Sequence, residues 1–139
     1  DQAVSRGLGD VYKRQTDYST NLIEQSKNAD LLFHDALSYN MIGRAEDISE
    51  IIQPQLSRVF YDIQGYHASP VEAAQAANEA NVKELIFYHL IPAPDSFIAK
   101  IIFVKGVSEV RPDNWTLADD GTIAILPVNS EDITITNIE

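Results

Sequence analysis

The stretch from Tyr66 to Leu90, YHASPVEAAQAANEANVKELIFYHL, constrains the fold more than any other part of the chain. One histidine stands before a strongly signalled helix, and another closes the strand that follows. Ser69 is placed to cap the helix, Pro70 suits its first position, and Glu72 falls where a capping-box acid reaches back to the cap's own N–H. The helix is therefore predicted to start at Pro70. Ala73, Ala74, Ala76, Ala77 and Ala80 give it a small, smooth face that lies close to a sheet, and Asn81 suits a left-handed stop. Leu85, Ile86, Phe87 and Tyr88 then form a continuous apolar run, the pattern of a parallel strand buried on both faces, which ends at His89 ahead of Pro92 and Pro94. Open α/β sheets bind ligands at the carboxyl ends of their strands, so His89 is expected at a site.

The flanking segments extend the same pattern. Thr20 to Asn28 reads as a short helix, and DLLFHDA, from Asp30 to Ala36, reads as a second buried strand ending in His34 and Asp35. Leu37 to Phe60 is largely helical in spacing, through Ile48, Ile51, Ile52, Leu56, Val59 and Phe60. Gly43 and Pro54 should divide it. Asp95 to Gly106 favours a helix, capped by Asp95 or Ser96, over a strand. Trp115 to Leu117 and Thr122 to Leu126 flank Ala118-Asp119-Asp120-Gly121, whose Asp-Gly pair predicts a hairpin between them. The tail from Ser130 to Glu139 alternates Ile with polar residues, as an edge strand or a frayed end does. No internal repeat is visible.

Ser5 to Gln15, SRGLGDVYKRQ, does not read as part of a fold. GDVYKRQ back-translates to DNA resembling the transposase mosaic-end adapter of sequencing libraries, and SRGL continues into the adjoining arm. Residues 1–15 are therefore expected to be a non-native leader, with native sequence beginning near Thr16. Over the 139 residues the formal net charge is −11, and discounting that stretch removes more basic than acidic residues. A chain this acidic does not bind polyanions passively, so nucleic acid is expected only through a metal site. The absence of cysteine removes disulfides and thiolate metal sites, leaving His and carboxylate as metal ligands. No apolar run approaches the roughly 20 residues that cross a membrane, and with no targeting signal to read the cytoplasm is the default expectation.

The order DLLFHDA, YHASPVEAA, ELIFYHLIP resembles the carboxyl half of metallo-β-lactamase-fold hydrolases, in particular the ribonuclease Z and arylsulfatase-like branch. The resemblance runs from about Thr16 to Pro94. It implies an α/β fragment, the C-terminal half of an αββα sandwich, occupying residues 16–139. In that family a Gly-Asp-Thr segment supplies an aspartate bridging two zinc ions. Thr16 matches the threonine, but Gln15 stands where the aspartate belongs, and nothing here matches the family's upstream HxHxDH motif or its third metal histidine. The resemblance makes His89 the last zinc-ligand histidine. It makes Asp35, in HDA, the acid of an HEA-type motif, and His67 the histidine of HxSxxEA, the pair that helps protonate the leaving group.

Those residue types suit that chemistry. Two zinc ions bring the pKa of bound water towards ~7 and clamp the attacking and leaving oxygens, while a histidine beside a carboxylate delivers the leaving-group proton. The implied function is a zinc-dependent hydrolase of phosphodiesters, esters or sulfate esters, present here as a fragment that should be inactive. A small-molecule or phosphodiester substrate and a second copy of the chain are the expected partners; a membrane is not. The competing reading is a self-contained acidic α/β binding module in which the histidines are structural and Asp35 merely caps a helix. His34 is expected to orient its neighbours rather than touch metal, and Asp62, Tyr66, Tyr88 and Trp115 to pack or line a pocket.

Overall fold

The computed structural model describes residues 18–43, 63, 65 and 67–138. The expected leader, most of the long helical segment, Asp62 and Tyr66 lie outside them. Within them the chain is α/β, beginning with helix α1 (Thr20–Gln25), which Ser19 caps by accepting from the Leu22 N–H. Strand β1 (Leu31–Leu37) follows, and residues 39–43 are helical directly after it. Helix α2 (Pro70–Glu79) carries the full capping box: Ser69 Oγ accepts from the Glu72 N–H at 3.2 Å, and the Ser69 N–H donates to Glu72 Oε2 at 2.8 Å. Asn81 takes the left-handed conformation at φ 54°, as expected of it. Its side chain bonds Asn28, also left-handed at φ 58°, so the ends of α1 and α2 are tied together.

Strand β2 (Glu84–Ile91) pairs in parallel with β1, and β3 (Trp115–Leu117) pairs in parallel with the other edge of β2. Between β2 and β3 lie α3 (Phe97–Phe103), capped by Ser96, and the short α4 (Val107–Val110). Both crossovers step the same way across the order β1-β2-β3, so crossovers of one hand place their helices on one face. That face is the core. Ala73, Ala74, Ala76 and Ala77 of α2 pack there with Ala36, Leu85, Phe87, Phe103 and Val107. Side chains alternate along strands, which sends Phe33 and Tyr88 to the opposite face. They meet edge to face at 6.2 Å and remain 54% and 39% exposed, and among the described residues no helix covers them.

The expected hairpin does not form. The turn itself is present, with Gly121 at φ 90° and the Thr122 N–H donating to Asp119 O, but its two arms enter different sheets. Trp115 and Leu117 gain burial by joining β2, where Trp115 packs edge-on against Phe87 at 6.0 Å. Strand β4 (Thr122–Ile125) instead pairs antiparallel with the tail strand β5 (Thr134–Asn137). A short strand offers few ladder bonds, so side-chain burial decides which partner it takes. Among the described residues no helix is long and apolar enough to cross a membrane.

Candidate functional site

The residues singled out by sequence converge at the carboxyl ends of β1 and β2. His67 Nδ1 lies 2.7 Å from Asp35 Oδ2, and both side chains are buried, at 1% and 0% exposure. A carboxylate only accepts, so Nδ1 carries the proton in this bond. Burial strengthens such a bond and fixes the ring orientation. His89 follows at a ring-centroid distance of 6.0 Å from His67 and is exposed.

His89 does not end its strand, as the sequence pattern suggested. The ladder pairs Asp35 with Tyr88 and then Ala36 with Leu90, leaving His89 as the extra residue of a bulge, and the strand runs on to Ile91. His89 adopts φ 46°, a left-handed conformation that costs of order 1 kcal/mol for a residue with a Cβ. Such strain persists where the surrounding structure enforces it, and bulges re-aim side chains at sites. Here the bulge turns His89 into a cleft of about 280 Å³ that it lines with Leu90, Pro94, Ala118, Asp119 and Asp120. Asp119 is engaged by Lys100 at 2.6 Å.

The His34 Nδ1–H donates to the Asp35 carbonyl at 2.6 Å, on the helix side of the sheet. Its Nε2 is buried and unpaired. Tyr88 lies on the open face and Trp115 in the core, both as packing residues. A larger cleft, about 590 Å³, opens at the other end of the sheet beside Lys83, Arg111 and Asn114. It holds no part of the histidine cluster, and Arg111 there is committed to backbone carbonyls.

Sequence reasoning passed over Tyr39. Its hydroxyl donates to the His67 carbonyl at 2.8 Å and lies 3.3 Å from Glu72 Oε2. The segment after HDA carries only a helical spacing, and a partner 28 residues away leaves no local signal. Among the described residues, no three His, Asp or Glu side chains come together as a metal site. Set against models of known families and against curated proteins, the sequence matches none.

Proposed function

We propose that the chain is the C-terminal part of a zinc-dependent hydrolase of the metallo-β-lactamase fold, acting on phosphodiesters, esters or sulfate esters. The observation that carries this is the buried His67–Asp35 pair set beside a strained, exposed His89 at the strand ends. It supports a division of labour in which His89 faces the metal and the pair handles a proton. The exposed Phe33 and Tyr88 support the half-sandwich, because parallel strands are normally covered on both sides. In the complete enzyme the zinc pair supplies an activated water and charge stabilisation.

The described residues do not fit a zinc ion by themselves. His89 is one ligand where a catalytic site needs three protein ligands, and His67 is tied to Asp35. What this chain contributes is the proton. With Nδ1 held by Asp35, protonated His67 can release the proton on Nε2 to a departing oxygen, and the carboxylate keeps the ring aligned while the charge changes.

A second reading is favoured by the near-complete burial of His67 and the local bond of His34: an acidic α/β module whose histidines are structural. Zinc titration tests the fragment reading against a self-contained metal site. The chain is expected to show no tight stoichiometric site, since an isolated histidine cannot hold zinc. Submicromolar binding abolished by His67→Ala and by His34→Ala would instead mark a self-contained metalloprotein and defeat the fragment reading.

A further inference from the structure

We infer that Tyr39 is a positioning residue for the His67–Asp35 pair, holding the histidine's backbone so that its ring stays on the carboxylate. His67 belongs to no helix or strand; it sits in a bend ahead of the Ser69 cap. Something else must fix it. The chain from Asp35 to Tyr39 does so with three groups at alternate positions. Asp35 takes the ring at 2.7 Å, the Leu37 N–H donates to the Ala68 carbonyl at 2.9 Å, and the Tyr39 hydroxyl donates to the His67 carbonyl at 2.8 Å. Both members of the pair are therefore referenced to one segment, β1 and the turn of helix behind it. Glu72 completes the tie, because the Oε2 that caps α2 is also 3.3 Å from the Tyr39 oxygen.

The consequence is that Tyr39 acts on the histidine through its backbone and touches no substrate. Losing one hydrogen bond of ordinary net strength should let the ring leave Asp35 about tenfold more often. The catalytic meaning of this rests on the proposed hydrolase reading, but the geometry does not.

The test is proton NMR of the 139-residue chain. An imidazole N–H bonded to a buried carboxylate gives a far-downfield resonance, assigned to His67 by its loss in Asp35→Asn. Tyr39→Phe is expected to keep the circular dichroism spectrum and to speed solvent exchange of that proton roughly tenfold. Ser69→Ala removes the neighbouring cap and lowers thermal stability, yet should leave the exchange rate unchanged well below melting. An unchanged rate in Tyr39→Phe overturns the inference. So does an equal change in Ser69→Ala, which would mean general loosening. The resonance reports the pair whether or not the chain comes from a hydrolase, so either reading can fail without the other.

Discussion

If the chain is part of the proposed hydrolase, His67→Ala in the complete enzyme is expected to lower kcat by roughly 10²- to 10⁴-fold while metal occupancy stays intact. The leaving group sharpens the result. Nitrophenolate departs with little need of a proton, so the loss should be mild on a nitrophenyl ester and severe on an ester that expels an alkoxide. Asp35→Asn follows the same pattern, because the 2.7 Å bond makes the two side chains one unit. The double variant should lose less than the sum of the singles. His89→Ala behaves differently, reducing metal content and damaging both substrates alike. Metal analysis alongside kinetics on the two esters checks all of this. Equal losses on both esters for His67→Ala, or zinc lost with it, would remove His67 from the acid role.

The largest effect on stability is expected at Arg111, far from the histidines. The residue is 8% exposed, and its guanidinium donates to the carbonyls of Val82, Lys83 and Asn114 and to Asn78 Oδ1. It joins the C-terminal end of α2 to the starts of β2 and β3. Burial lowers its pKa from the ordinary value, with Glu84 and Asp113 opposing the change, and a guanidinium nonetheless keeps its charge at any pH the fold survives. Arg111→Ala takes this donor from all four acceptors, of which Asn114 O keeps the Leu85 N–H, and should cost about 3–5 kcal/mol. For a domain of this size that is roughly 10 °C or more in Tm. Arg111→Lys should recover little, because an ammonium cannot span carbonyls arranged for a planar fork. Lys83→Ala gives the contrast: its pair with Asp30 is about half exposed on both sides, so its loss should barely move the melt. Thermal melts of the three variants decide the order.

Local signals were the legible ones. Ser69, Pro70 and Glu72 announce the start of α2 within four residues, and Asn81 announces its end, because caps depend on neighbours in sequence. The apolar runs of β1 and β2 declare a buried parallel pair for the same reason. Competition between distant partners left no such trace. Asp-Gly at 120–121 makes its turn, yet β3 and β4 part company because Trp115 finds Phe87, a choice set by the core rather than by the turn. The bulge at His89 was hidden too, since nothing around Tyr88 and Leu90 requires a left-handed histidine. In the site, Asp35 and His67 were named through resemblance, and their contact across 32 residues became visible only in three dimensions. Arg111 and Tyr39 drew no notice because their partners are backbone carbonyls, which every residue possesses.

Everything proposed about zinc and proton transfer depends on the chain being part of a larger metallo-β-lactamase-fold enzyme. Long-read sequencing of unamplified source DNA tests that most directly. The account predicts codons for Gly-Asp immediately before Thr16, with an HxHxDH motif further upstream. Codons for Ser5 to Gln15 in that genome, uninterrupted and in frame with Thr16, would contradict it.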